Sequence, residues 1–452
     1  MPINIKFIPL YAAMFSVAVL SQANQAAASD ITTLQSSVSY ALTHNRGLAA
    51  SASQADAAQA QVSAATGQLL PRLDVSTGVY RTNSALNGFG MRLLQAQVSA
   101  ADFSPTALNN PEYINNYQSR LGLTMPLYSG GALYASRHKA SANAEAAALN
   151  HTFYTQQLIY QTIVAYVQAR QALAQAQAQE KAVHAAEQRL KDTKALKKRG
   201  MAINSDVMDA NVFLLRSQLA WDDAKNQYAS ALEGLRLVLG LQDDVSLSDL
   251  SEPHIQDVAS SLDDLLSNAP QQRADLLALI QQEEAASAAS DQANSGYMPH
   301  VNLTAAREWN SDTFGLKNGN NTVGLTVSMN LFAGGGDSAN VRAAEAQRIS
   351  LSLQQADKRQ QISNQIRQAW RSLKTAAKKL SSESEAFKQT SESLRIKALR
   401  QKQGLETTSD VLAAQVRADQ AEVMVIRAKY DLMIAKAALM LAAGTLNEGV
   451  VQ

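Results

Sequence analysis

Two hydrophobic periodicities alternate along the chain. In residues 73–83, Leu73, Val75 and Val79 alternate with Asp74 and Ser76, a period of two that is typical of a strand with one apolar face. The same period predicts four strands in all, at 73–83, 116–128, 300–310 and 321–332. The stretches around them are rich in Ala, Gln and charged residues. They predict helices at 33–68, 132–199, 205–240, 263–296, 336–403 and 409–443.

The predicted helices have matching lengths. Residues 132–199 and 336–403 contain no proline and no interior glycine, so each can run as one helix of roughly 100 Å at 1.5 Å per residue. The other four stretches are each about half as long, and two of them laid end to end match one long helix. The sequence therefore predicts an even-walled rod of antiparallel helices, with the strands at the junction between long and short helices.

The chain repeats this plan twice. LGLTMPLYSGG at 121–131 recurs as LTVSMNLFAGG at 325–335, and both copies keep a spacing of 204 residues. The first repeat is expected at 29–240 and the second at 263–452, joined by an acidic link at 241–262. The first repeat carries about 24 extra residues between its strands, at roughly 86–113, which we interpret as a long loop.

Composition narrows both the fold and the function. Of 452 residues, 78 are alanine and only 6% are aromatic, which favours closely packed long helices over several large-residue cores. The formal net charge of +1 lacks the electrostatic footprint of a nucleic-acid binder. There is no cysteine, and the six histidines show no ligand-like spacing. We therefore expect no enzyme activity, no cofactor, no metal site and no nucleic-acid partner.

The first 28 residues have the pattern of a signal peptide. Lys6 supplies a positive start, residues 7–20 an apolar core, and residues 26–28 a small-residue cleavage signal. An uncleaved membrane anchor is the alternative, but the apolar run of about 14 residues is short for a membrane helix. No later stretch is long enough either, so entry into a membrane would use the strands, whose length and alternation suit tilted transmembrane strands. A small soluble sheet with one buried face is the other interpretation.

Four strands cannot close a barrel, and an open sheet edge in lipid leaves backbone groups unpaired. Several copies are therefore expected to pool their strands. At this point the chain resembles the TolC family of outer membrane efflux and type I secretion channels. The resemblance is carried by Pro71 and Pro299 before strands, by the turns PLYSGG (126–131) and NLFAGGG (330–336), and by Ser-Asp-Val after Gly200 and Gly404.

The resemblance implies a mainly α fold with a membrane β-barrel. Three copies would close a twelve-stranded barrel from four strands each, above a long antiparallel α-helical barrel in the periplasm of a Gram-negative bacterium. It also implies a passive exit duct in the outer membrane, serving a tripartite efflux pump or a type I secretion system. The implied partners are a periplasmic adaptor protein, an inner-membrane transporter of ABC or RND type, and outer-membrane lipid.

The turns between paired helices hold the predicted gate. Ser205 and Ser409 stand where N-caps are expected, with Asp206 and Asp410 just inside the helices. Capping and the helix macrodipole alone are one sufficient explanation. The resemblance implies another, in which acidic residues line a narrow periplasmic entrance. The family's latch positions hold other residue types here, and the candidate gate is Asp410, Asp206, Asp209, Glu406 and Gln401.

The same turns are candidate docking points. Gly200 and Gly404 suit tight turns for a purely structural reason, and cations near helix C-termini are expected without any partner. The resemblance adds a contact with the adaptor, for which the candidates are Gly200, Met201, Gly404, Leu405, Arg199, Lys198 and Lys402.

Other classes of protein fit less well. A trimeric periplasmic coiled-coil stalk or adhesin without a conducting lumen would need sustained heptads and would not need two strand pairs. An adaptor subunit is disfavoured because no compact β-domain interrupts the helices. An enzyme is least favoured, since no nucleophile with a base and no metal cluster is evident.

Overall fold

In this computed structural model, described over residues 32–241, 250–258 and 260–450, long helices extend from one small sheet. The predicted signal peptide at 1–28 lies outside the described residues, as do residues 242–249 and 259 of the link at 241–262. Within the described ranges, no helix is both long and apolar enough to cross a membrane. The predicted fold class, mainly helical with four strands, is confirmed.

The elements follow one order in each half of the chain. The first half contains α1 (Leu34–His44), α2 (Arg46–Gly67), β1 (Arg72–Thr82), α3 (Ala85–Leu94), α4 (Pro105–Asn109), β2 (Ile114–Ser129), α5 (Ala132–Lys198) and α6 (Asn204–Leu239). The second contains α7 (Leu262–Gln272), α8 (Ala274–Asn294), β3 (His300–Ser311), β4 (Gly319–Ser328), α9 (Gly336–Lys402) and α10 (Thr408–Ala443).

The long helices run without a break. α5 and α9 each have 67 residues, and α6 and α10 each have 36. Gly240 and Gly444 end the shorter pair with φ of +71° and +78°, a left-handed conformation that glycine adopts without steric cost. α9 and α10 each start 204 residues after their counterparts in the first half, at 336 against 132 and at 408 against 204.

Two predicted helices are each broken in two. Residues 33–68 break at Asn45, which leaves the helical conformation, caps α2 through the amide of Leu48 and donates to the carbonyl oxygen of Val238. Residues 263–296 break at Arg273, which is extended between α7 and α8. Both predictions of a continuous helix were wrong, because each break is held by bonds to a distant part of the chain.

The sheet has the order β1-β2-β3-β4, with every pair antiparallel. The last strand ends earlier than the predicted 321–332. Ser328 pairs with His300, the first residue of β3, so residues beyond 328 have no partner strand. The predicted loop at 86–113 is also corrected, since it folds into α3, α4 and a turn of 3-10 helix at Ala100–Phe103.

The two faces of the sheet differ in polarity. Register places Leu73 beside Leu123, Val75 beside Leu121 and, on the other hairpin, Leu303 beside Leu325. This apolar face is open, with Val75 80% and Val323 74% exposed. The opposite face carries mainly polar residues, including Asp74, Ser76, Arg120, Thr304, Glu308 and Thr322.

The helices pack closely through small side chains. α5 packs against α6, α10, α8 and α2, and α9 packs against α10 and α8. Several alanines in these contacts are fully buried: Ala169, Ala186, Ala210, Ala428 and Ala437. Because small side chains let helix axes approach closely, the alanine-rich composition has a direct structural use. The largest apolar cluster lies where α1, α5, α6 and α10 meet, around Ile163, Tyr166 and Tyr430.

Candidate functional site

The helix turns at the far end from the sheet are built alike. Gly200 and Gly404 have φ of +73° and +75°. After each glycine, the next amide bonds back to the preceding helix, Met201 to the carbonyl of Leu196 and Leu405 to that of Arg400, both at 3.0 Å. This bond closes the last helical turn and points the residue after the glycine outward. Met201 and Leu405 are both exposed.

The two turns lie side by side. A Cβ on Gly404 would be 3.7 Å from the Cε atom of Met201. Between them runs an open groove of about 620 Å³, lined by Asp206 and Asp410 among other residues of both turns. The structure therefore brings the docking candidates Gly200, Met201, Gly404 and Leu405 together with three candidate gate carboxylates, those of Asp206, Glu406 and Asp410, and with Gln401. Lys198, Arg199 and Lys402 are exposed beside these turns.

The helix caps differ from those predicted. Thr407, not Ser409, is the N-cap of α10, and its hydroxyl accepts the amide of Asp410 at 3.1 Å. Ile203, not Ser205, precedes α6, and its amide donates to the carboxylate of Asp206 at 2.9 Å. Both helices begin earlier than predicted, at 204 and 408, so the two serines lie inside the first turn.

The carboxylate of Asp410 is held in its charged form. The hydroxyl of Thr407 donates to it, which lowers its pKa below the usual value, while partial desolvation opposes that shift. The positive charges of Lys397 and Arg417 add to the lowering. Because the pKa of Asp410 is lowered in the folded protein, its charged carboxylate stabilises the start of α10 at neutral pH. This stabilisation is lost only under acid conditions, when the carboxylate is protonated.

Glu406 and Gln401 bind within their own hairpin. The carboxylate of Glu406 forms ion pairs with Lys397 at 2.9 Å and with Arg400 at 3.3 Å, and its side chain is only 15% exposed. Gln401 donates to the hydroxyl of Thr408 at 3.2 Å. These contacts tie the end of α9 to the start of α10.

Asp209 lies apart from the turn groove. It lines a second groove of about 660 Å³ between α6 and α10, together with Phe213, Arg216 and Asp419. Burial raises the pKa of Asp419, which also accepts a bond from the amide of Gln415 at 2.9 Å. The sequence gives no indication that Asp419 is a buried carboxylate, because only the packing of α10 against α5 and α6 encloses it.

A buried ion cluster at the break between α7 and α8 was also missed. Arg273 is 4% exposed and makes two bonds to Asp275, at 2.8 and 2.7 Å, and one to the carbonyl of Ala442 at 3.0 Å. Lys358 of α9 reaches Asp275 at 2.8 Å. Burial alone would raise the pKa of Asp275, but the hydrogen bonds from Arg273 and Lys358 outweigh it and keep that pKa lowered. No sequence pattern predicts partners this far apart.

Comparison with known proteins gives one family and one fold. The family described as Outer membrane efflux protein matches residues 37–241 and 265–445. Outer membrane protein TolC of Salmonella enteritidis is 25% identical over 317 residues, which are 66% of this chain and 63% of that protein. This alignment thus spans less than two thirds of the length of the curated relative.

Solved structures share the fold. A membrane protein from Pseudomonas aeruginosa has a TM-score of 0.78 at 21% identity, covering 91% of this chain and 93% of its own. The outer membrane protein VceC from Vibrio cholerae has a TM-score of 0.77 at 18% identity, covering 91% and 96%. The alternative of a stalk without a lumen gains no support from these comparisons.

Proposed function

Because the chain belongs to the outer membrane efflux protein family, we propose that three copies form the outer-membrane exit duct of a tripartite efflux pump or type I secretion system. In this proposal twelve strands close one barrel in the membrane, and the helices form a hollow stem in the periplasm. The duct is passive, with no catalysis and no cofactor, and its direction of transport is set by its partners. These are a periplasmic adaptor and an inner-membrane transporter of ABC or RND type.

The observation that carries this proposal is the sheet. Its apolar face is exposed along β1 and β4, its other face is mainly polar, and these two outer strands each pair on one side only. In lipid each unpaired backbone group costs several kcal/mol, so the edges need partner strands. Further copies supply them, β4 of one beside β1 of the next, and the polar faces then surround a water-filled bore.

Like the sheet, the helices have an exposed apolar surface that another copy could cover. On α6, Met208, Val212, Leu215 and Leu219 are exposed at spacings of four, three and four residues, which places them on one face. α6 packs mainly on α5, so this apolar stripe has room for a helix of another copy. Exposed Ile396 and Leu399 on α9 offer apolar surface near the same end. These features support threefold closure of the stem as well as of the sheet.

The helix turns fit the periplasmic entrance of this duct. Asp410 and Asp206 in three copies would bring six carboxylates near one axis, which attracts cations and creates mutual repulsion. The gate is proposed to include Asp209, Glu406 and Gln401 as well. The adaptor is proposed to dock on the outward-pointing turns at Gly200–Met201 and Gly404–Leu405, with the neighbouring cations at their rim.

Planar bilayer recording on the purified full chain tests the proposal. Detergent-extracted protein should run as a trimer by light scattering with detergent correction, and should conduct ions with a preference for cations. Reversal potentials in a salt gradient give the sign of the preference. A monomer without conductance, or a trimer imaged as a solid shaft without a bore, would refute the duct.

A further inference from the structure

The extra segment of the first repeat folds down onto the sheet. Its helix α3 is followed by Gln95, which is 2% exposed and whose side chain donates to the carbonyl of Asn115 at 2.8 Å and to the side chain of Asn116 at 2.9 Å. From the turn between β3 and β4, Asn318 donates to the carbonyl of Gln95 at 2.7 Å. We call residues 85–111 the cap. It is anchored to both strand hairpins.

The anchor lies on one face of the sheet. Asn116 donates to Asn310 at 2.7 Å, and both Asn310 and Gln118 donate to Glu308 at 3.0 and 2.6 Å. These side chains share the polar face, since register places Gln118 beside Asn310 and Arg120 beside Glu308. The cap therefore covers the polar face, at the end of the strands that is remote from the helices.

The cap has a fold of its own. Within it, Arg92 pairs with Asp102 at 2.7 Å, and Asp102 accepts the amide of Ser99. Phe89 and Phe103 meet edge to face with ring centres 5.5 Å apart. Both the ion pair and the ring pair join α3 to the 3-10 turn at Ala100–Phe103. These contacts therefore hold the segment together as one folded unit rather than as a free loop.

The helix α3 presents an apolar side away from the sheet. Gly88 faces the sheet, with the Cδ1 atom of Ile114 3.2 Å from where its Cβ would be. On the other side Leu86 is 83% exposed, and Leu93, seven residues on and so on the same helix face, is exposed as well. Two large apolar side chains on one exposed helix face form a surface that a partner can cover.

We propose that the caps of three copies meet over the axis of the duct and form a second constriction at its outer mouth, lined by Leu86 and Leu93. This rests on the proposed function, in which the polar face lines the bore and its helix-remote end opens outside the cell. A helix seated on the polar face then projects into the bore. The partner that covers Leu86 and Leu93 is the cap of the next copy, and apolar side chains at such a point resist wetting and limit the size of what passes.

Cross-linking in the full chain tests whether the caps meet. The chain has no cysteine, so a single Leu86→Cys substitution introduces the only thiols. A short bis-maleimide should join these thiols between copies, giving covalent dimers on a denaturing gel. Val79→Cys is the matched control, since Val79 is exposed near the same end of the sheet but on its apolar face, and should give none. No cross-link at position 86, in trimers that conduct normally, would overturn the constriction and leave the duct intact.

Conductance gives a second readout. Replacing residues 86–110 by a short Gly-Ser link should raise single-channel conductance by about twofold or more, as expected when a narrow point in series is removed. Larger polyethylene glycols added on the outer side should then enter the channel. If conductance and polymer cut-off both stay unchanged in a variant that still forms trimers, the caps do not narrow the mouth. Absence of conductance in the unaltered protein would instead refute the duct itself.

Discussion

Replacing Gly444 by alanine should destabilise the protein more than the same change at Gly240. Both glycines end a 36-residue helix at positive φ, where an L side chain costs roughly 1–2 kcal/mol. A Cβ on Gly240 would meet nothing closer than the carbonyl of His44, at 3.9 Å. A Cβ on Gly444 would lie 2.8 Å from the carbonyl oxygen of Gln272 and 3.1 Å from the amide of Arg273.

The difference between the two sites is steric. Contacts below 3 Å with backbone atoms cannot be relieved by turning a side chain, so α7 or the end of α10 must shift. Forcing extra atoms into a packed site costs typically about 1–3 kcal/mol. We therefore expect a loss of about 1–2 kcal/mol for Gly240→Ala and of about 2–5 kcal/mol for Gly444→Ala.

The assay is thermal unfolding of each purified variant, followed by the helical circular dichroism signal at one protein and detergent concentration. The two variants control for each other, because they share the helix position, the sign of φ and the chemical change. Gly444→Ala should lower the midpoint by clearly more than Gly240→Ala. Equal shifts, or the reverse order, would show that the end of α10 does not pack against the break between α7 and α8 as the structure has it.

Three further predictions concern the sheet, the gate and the buried ions. Val323→Lys should impair insertion into the outer membrane, because a charge facing lipid costs about 2–4 kcal/mol. Thr322→Lys, on the polar face, should be tolerated. The measurement is the amount of trimer in the membrane fraction, detected on a gel as a band that shifts on heating. Asp410→Asn should weaken the cation preference or raise resting conductance. In the unaltered channel, the contribution of Asp410 to that preference should persist to lower pH than an ordinary aspartate would allow, because the pKa of this carboxyl is lowered, chiefly by the hydrogen bond from Thr407. Arg273→Leu should cost about 3–5 kcal/mol in thermal unfolding, because it leaves the buried carboxylate of Asp275 with Lys358 alone and the carbonyl of Ala442 without its donor. Adding Asp275→Leu should recover part of this loss, because it removes the partly compensated buried charge.

Several features of this protein follow from local pattern. The period-two segments became strands, and the stretches free of proline and interior glycine became unbroken helices of 67 residues. Periodicity of this kind is informative because apolar residues at a period of two share one face only in a strand, whereas residues three and four apart share one face in a helix. The positions of Gly200 and Gly404 also pointed to the turns, since a left-handed residue is needed where an antiparallel helix pair reverses.

The candidate site was predictable only in part. The turns hold Asp206 and Asp410 in one groove, but the N-caps lie two residues before the predicted serines, at Thr407 and Ile203. The side chains that bind the amides at these helix starts are therefore those of Thr407 and Asp206. Asp209 faces a different groove. The roles of these residues in gating and docking stay predictions until the variants above are measured.

The sequence by itself determined the four strands, the four long unbroken helices and the twofold repeat, because the type of each element depends on the local pattern of its residues and the pattern occurs twice. The tertiary structure decided where helices break and what the extra segment does. Asn45 leaves the helix with a bond to Val238, Arg273 with bonds to Asp275 and Ala442, and Gln95 docks the cap on the sheet through Asn116. Most of these partners lie far away along the chain, so no periodicity encodes them, and only packing of the whole chain brings them within hydrogen-bonding distance.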